Sequence, residues 1–235
     1  MHQLERRRKR ECRLEADRAL RTLDEAEAFL RDRGLLTLMP DCALPSLFGA
    51  CHEPPYKAGS KGFGLWPATK WPWGLALAER CLRTKLHRGK GLFLSEETAG
   101  LADPLCRTEL RRAEEGAHGP EAQLLVERLA ELGPALPEEL DTDRRTRDRL
   151  ERVGAIVSRP VLVGSGYTSE LARWDQVRPD PAPGGLDELV VAGVHAAVVA
   201  PEREAAGWFS WRADVGRLVE EGRLARPERG LVCLP

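Results

Sequence analysis

Residues 144–152 hold five arginines: Arg144, Arg145, Arg147, Arg149 and Arg152. On a helix, Arg145, Arg149 and Arg152 fall at i, i+4 and i+7 and form one exposed stripe, with Thr146, Leu150 and Val153 turned inward. Guanidinium groups in such a row suit phosphate oxygens or the guanine edge in a major groove. The competing reading is a solvated face laced by pairs to Asp148 and Glu151. Arg159 follows the same helix. Arg83, Lys85, Arg88 and Lys90 form a second basic set, and Arg226 and Arg229 a third. Near the end of a helix such groups also complement its dipole.

Signatures of catalysis are sparse. The chain has no P-loop, no H-E-x-x-H and no G-x-S-x-G, and Gly62-Phe63-Gly64 lacks the strand-and-helix context of a phosphate loop. Between residues 34 and 100 the acids are Asp41, Glu53, Glu79, Glu96 and Glu97. Asp41 and Glu53 flank a proline-rich stretch and are the carboxylates there with the least reason to be simple surface pairs. Glu79 and Arg83 read as an i, i+4 surface pair. No catalytic residue is assigned. Trp66, Trp71 and Trp73 could stack on an extruded base, but three tryptophans so close together are more often core or interface.

The six cysteines contain no C-x-x-C pair and are expected to be reduced thiols. Cys42, Cys51, His52 and Cys81 cluster in sequence, but their spacing matches no common zinc pattern. No metal and no cofactor is expected.

These residues need elements to carry them. Residues 4–33 read as one long helix, with Ala16, Ala19, Leu23, Ala26 and Leu30 on one face and Gly34 as its stop. Residues 35–72 are broken by prolines, and residues 57–64 read as a flexible loop. A helix is expected from Trp73 to His87, with Leu75, Ala78, Leu82 and Leu86 buried and Gly89 ending it.

The second half contains an internal repeat. Leu150-Glu-Arg-Val-Gly154 precedes Arg159-Pro160, and Leu218-Val-Glu-Glu-Gly222 precedes Arg226-Pro227. Each copy reads as helix, short helix, helix and β-hairpin. The helices are expected over 120–132, 137–141 and 143–153 in the first copy, and over 186–200, 201–208 and 211–221 in the second. The hairpins turn at 164–166 and 227–230. That order is a winged helix, a helix-turn-helix variant. The Pro/Gly-rich segment 178–185 reads as the boundary between copies. The expected organisation is a long N-terminal helix over 1–34, a helical Pro/Trp-rich region over 35–118, and winged helices over 119–178 and 185–235. The expected fold class is α+β, mainly helical.

Leu36-Thr-Leu-Met-Pro-Asp-Cys-Ala-Leu-Pro-Ser-Leu47, Trp71-Pro-Trp73, Leu77-Ala-Glu-Arg80 and Lys85-Leu-His-Arg-Gly89 through Phe93-Leu-Ser95 resemble short actinobacterial proteins related to the AlkZ/YcaQ-type DNA glycosylases. The resemblance covers roughly residues 35–235. It implies tandem winged helices, and an ancestry in enzymes that excise alkylated bases and unhook interstrand crosslinks. Those enzymes position a water with a Gln-x-Gln or Gln-x-Asp motif. Here neither Gln3, Gln123 nor Gln176 has Gln or Asp two residues on, so the sequence departs from the family at its catalytic motif.

The formal net charge of −1 excludes a uniformly basic coat. It hides an uneven distribution: residues 1–33 carry +2, 34–100 carry +3, 101–180 carry −4 and 181–235 carry −2. No apolar run reaches the ~20 residues of a membrane span, and the charged N-terminus is unlike a secretion signal. The expectation is a cytoplasmic, repair-associated protein that binds double-stranded DNA without an intact excision motif. A winged-helix regulator or interaction scaffold, paired as a homodimer through the long helix, is the alternative.

Overall fold

Thr22 and Glu25 divide the N-terminal segment that periodicity reads as one helix. In the computed structural model the Thr22 hydroxyl accepts the Glu25 N–H, and the Glu25 carboxylate accepts the Arg21 N–H. Thr22 is thus the N-cap of a new helix, with Glu25 holding the residue just before it. The segment is therefore two helices, α1 (His2–Glu11) and α2 (Leu23–Arg33), with a short 3₁₀ turn at Ala16–Arg18 between them. Gly34 ends α2 with φ +81°, as expected. The structure describes residues 1–57 and 66–235, so all but the first residue of the loop expected over 57–64 lies outside the described residues.

The next elements are β1 (Leu35–Thr37), a 3₁₀ turn at Gly49–Cys51, α3 (Trp73–Arg80), β2 (Leu82–His87) and β3 (Lys90–Leu94). The helix expected from Trp73 to His87 thus stops at Arg80. Leu82, Thr84 and Leu86 alternate at period two, and Arg88-Gly89 is a hairpin turn. Both turn residues have positive φ, +54° and +77°, the pattern of a type I′ turn. The same Gly89 that reads as a helix stop is the turn of a hairpin.

This sheet is antiparallel, in the order β1-β3-β2. Leu36 pairs with Phe93, and both belong to a core with Leu30, Leu47, Phe48 and Leu77. Leu35, Leu92 and Leu94 project into a second, larger core. Both faces of β1 and β3 are covered, which is why these two strands are largely apolar, while β2 carries Arg83, Thr84, Lys85 and His87.

The chain continues through α4 (Glu96–Glu114), α5 (Pro120–Leu132), a 3₁₀ turn at Pro137–Glu139, α6 (Arg144–Arg152), β4 (Ile156–Val163), β5 (Gly166–Arg173) and α7 (Trp174–Val177). It ends with α8 (Leu186–Ala197), β6 (Val199–Pro201), α9 (Glu202–Ala205), α10 (Val215–Glu220) and β7 (Leu231–Cys233). The architecture is α+β and mainly helical. Among the described residues no helix is long and apolar enough to cross a membrane.

One order of elements occurs three times: helix, short strand, short helix, helix, then two strands. The last strand always lies between the other two. In the first unit β3 lies between β1 and β2. In the second, β5 pairs with β4 along its length and bridges Ala135 through Leu171. In the third, β7 pairs with β6 and bridges Ala225 through Cys233. The sequence repeat revealed only the second and third units. The expected helix over 186–200 ends at Ala197, and that over 211–221 begins only at Val215, capped by Asp214.

Helix α4 joins the units. Asp103, with no solvent exposure, accepts hydrogen bonds from the Trp174 indole (2.7 Å), the Ala182 N–H (3.0 Å) and Arg107 Nε (2.8 Å). Burial alone would raise its pKa; these three donors outweigh that and hold it below the usual carboxylate value. The 178–185 segment, which reads as a free boundary, is therefore strapped along α4. Arg107 also binds the Arg178 and Pro179 carbonyls. At Gly184 a Cβ would stand 2.5–2.9 Å from the Leu101 backbone, so only glycine fits there.

Two outcomes follow for stability. Asp103→Asn, which turns an NH₂ toward donors, is expected to cost roughly 3 kcal/mol in urea unfolding at pH 7. Because the folded pKa is depressed, the wild-type advantage is complete above the unfolded value and narrows as pH falls below about 4. Gly184→Val is expected to cost roughly 2–3 kcal/mol by lifting the strap from α4.

Candidate nucleic-acid interface

Helix α6 begins at Asp143, whose carboxylate accepts the Thr146 N–H (2.9 Å) and hydroxyl (2.7 Å). Thr146, Leu150 and Glu151 are buried, which fixes the helix rotation. Arg145, Arg149 and Arg152 point to solvent, and no ion pair engages any of them among the described residues. The two acids that could have neutralised this face are turned toward the first unit. Lys85 on β2 reaches Asp148 at 2.9 Å and Glu151 at 2.6 Å, and Glu151 also accepts the Ser158 hydroxyl. Only Arg144, 86% exposed, keeps a loose 3.4 Å contact with Asp148.

The stripe adjoins the first hairpin and the third unit. The Arg152 guanidinium lies 3.0 Å from where a Gly89 Cβ would stand. The Ser210 hydroxyl donates to the Arg152 carbonyl. Arg88 Nε donates to the Gly207 carbonyl at 2.7 Å, so Arg88 is fixed beside Arg152 and free of acids. Three units thus contribute to one surface carrying Arg88, Arg145, Arg149 and Arg152.

The other basic candidates are placed differently. Lys85 is consumed by Asp148 and Glu151, and Lys90 is bound by Asp41. Arg159 pairs with Glu170 across the hairpin at 2.5 Å. Arg226 is held by both oxygens of Glu202 at 2.8 and 2.6 Å, which leaves Arg229 exposed at the turn. On α10, Arg217 is paired to Asp187 and Glu221. The tip of the β4–β5 hairpin is apolar: Leu162, Val163 and Tyr167 are each at least half exposed.

Arg83 and Arg147 do not reach this surface. They line a cavity of about 300 Å³ between the first and second units, shared with Thr84 and Ser158. Burial pushes the Arg83 guanidinium below its usual pKa, partly offset by Glu151. The Arg147 Nε is buried with no hydrogen-bond partner. Glu79 makes no pair with Arg83, because the helix ends between them; Arg80 pairs with Asp24 and Glu27 of α2 instead.

The carboxylates Asp41 and Glu53 are both engaged. Glu53 accepts the Thr69 N–H and hydroxyl (each 2.8 Å) and the Lys70 N–H (3.1 Å), and pairs with Lys70 Nζ at 3.0 Å. Burial opposes its ionisation, but these donors bring its pKa down to about 2. It fastens the segment at residue 69 and is no general acid. Of the three tryptophans, Trp66 stacks with Trp71 at 6.4 Å and packs with Trp73 against the first core, the structural role.

The sequence cluster Cys42, Cys51, His52 and Cys81 does not converge. Cys51 donates to the Leu47 carbonyl, and His52 is bound to the Arg13 carbonyl. Cys42 instead meets Asp41 and His87, a set that spacing alone could not reveal because 45 residues separate Cys42 from His87.

Comparisons of the chain with protein-family models, with curated proteins and with solved structures find no match.

Glu53→Gln is expected to lower unfolding stability by on the order of 2 kcal/mol at pH 7. A depressed folded pKa gives stability above about 4.5 that fades toward pH 2, so the gap to wild type should close over that range in acid denaturation.

Proposed function

We propose that this chain is a duplex-DNA-binding protein built of winged-helix units, with α6 as its principal contact. The observation that carries the reading is the stripe of Arg145, Arg149 and Arg152, exposed and free of ion pairs in a chain of net charge −1. With Asp148 and Glu151 turned away, the positive potential of this face is not cancelled locally. At a helical rise of 1.5 Å the stripe is about 10 Å long, roughly three base-pair steps of duplex.

The topology of the three units supports the reading, since a strand order with the last strand central is that of a helix-turn-helix with a hairpin wing. In such units the helix before the hairpin is the one that enters the major groove. By this criterion the second unit is the reader. In the third unit Arg217 and Arg226 are held by acids, and in the first the equivalent helix α3 packs against β4 of the second. The resemblance to AlkZ-type proteins supports a role in DNA repair, while the missing Gln motif and the engagement of Glu53 and Asp41 speak against base excision. The reading is therefore recognition of DNA without base removal.

Binding to a short duplex, followed by fluorescence anisotropy across 50–200 mM salt, tests this. Four phosphate contacts give a slope of log K against log salt of about −3.6. The triple variant Arg145→Ala, Arg149→Ala, Arg152→Ala is expected to flatten the slope by close to 3, roughly 0.9 per contact. Arg226→Ala, whose guanidinium is already paired, should change little. Absence of binding at 50 mM salt, or a triple variant that binds with the wild-type slope, would overturn the proposal.

A further inference from the structure

We infer that Asp41, Cys42 and His87 form a binding site for a zinc-type divalent cation. One ligand atom from each, a carboxylate oxygen, a thiol sulfur and an imidazole nitrogen, lie within 4.8 Å of one another. Their chemistry is the borderline-soft N, S and O mixture that zinc takes.

The histidine is set as a ligand requires. His87 is 1% exposed at the end of β2, and its Nδ1 is 2.7 Å from the Trp208 carbonyl. A carbonyl can only accept, so Nδ1 carries the proton and Nε2 keeps its lone pair. A backbone carbonyl on one ring nitrogen is the usual outer partner of a metal-bound histidine. Nε2 faces Asp41 Oδ1 at 3.9 Å. Burial, with Arg88 and Lys90 nearby, lowers the imidazole pKa, opposed by the Trp208 carbonyl and Asp41.

Asp41 is divided in the same way. Lys90 holds Oδ2 and leaves Oδ1 toward the imidazole. The Cys42 thiol is pushed up to about 11, first by burial and also by Glu204 and Asp41, while the Leu44 N–H favours its thiolate. A divalent cation here would reverse that balance by pairing with the thiolate.

The loop that carries Asp41 and Cys42 is fixed independently of any ion. The Ala43 N–H donates to Glu204 at 2.5 Å, and Arg8 donates to the Ala43 carbonyl at 3.1 Å. Donors around a tetrahedral zinc stand roughly 3.3–3.8 Å apart, given bonds of about 2.0–2.3 Å. A contraction of at most about 1.5 Å closes the set. Three protein ligands leave the fourth position to water or another donor, the arrangement of open rather than purely structural zinc sites. The residue after His87 is Arg88, so the site borders the arginine surface described above, although it stands on its own geometry.

Cobalt(II) and zinc titrations of the purified full chain test the site. Wild type is expected to take up one cobalt per chain and develop a thiolate-to-cobalt charge-transfer band in the near ultraviolet. Cys42→Ser should lose that band, and Cys51→Ser, whose thiol lies outside the set, should keep it. Asp41→Asn, a change on the solvent side, should weaken zinc affinity roughly tenfold or more, measured against a chromophoric chelator. No thiolate band in wild type, a band that survives in folded Cys42→Ser, or unchanged zinc affinity in Asp41→Asn would each overturn the inference.

Discussion

A buried carboxylate on α4 fastens the end of the second unit and the strap that follows it to that helix. Asp103 lies in the middle of α4 with no solvent exposure, and its donors come from three separate stretches: Arg107 on α4 itself, Trp174 after the second hairpin, and Ala182 in the strap. A carboxylate in that position is costly unless every lone pair is met. The tryptophan and the strap therefore dock on α4 together. The closeness of Gly184 to Leu101 is the steric side of the same constraint.

That arrangement sorts the arginines. Thirty arginines and six lysines meet 37 acids in this chain, so most guanidinium groups find a carboxylate. Which ones remain free is decided by where the acids are drawn. Lys85 lies on a strand of the first unit but draws Asp148 and Glu151 of the second off the exposed face of α6. One lysine on a neighbouring unit thereby leaves three arginines unpaired. In the third unit Asp187, Glu221 and Glu202 close on Arg217 and Arg226 instead. The two hairpin-bearing repeats look alike in sequence and differ in charge for this reason.

Several elements were legible from residue pattern. The limits of α5, the start of a helix at residue 143 and a hairpin turn within 164–166 follow from local periodicity and turn chemistry. The first unit was not legible. Residues 73–87 carry apolar positions that satisfy a helix over their first half and a strand over their second, and a helix period reads across both. The pairing of Leu82 and Thr84 with β3 decides for the strand. The N-terminal stripe misled in the same way, because alanines at helical spacing outweighed the Thr22–Glu25 capping signal.

By itself the sequence determined the mainly helical α+β class, the repeat in the second half and the arginine stripe. These depend on neighbours within about one turn of helix or one hairpin. Only the tertiary structure decided that the repeat occurs three times, that the supposed linker is strapped to α4, which arginines stay unpaired, and that Asp41 and Cys42 meet His87. Each of these rests on contacts between residues tens of positions apart, where burial and electrostatics depend on the whole packing and leave no periodic trace in the chain.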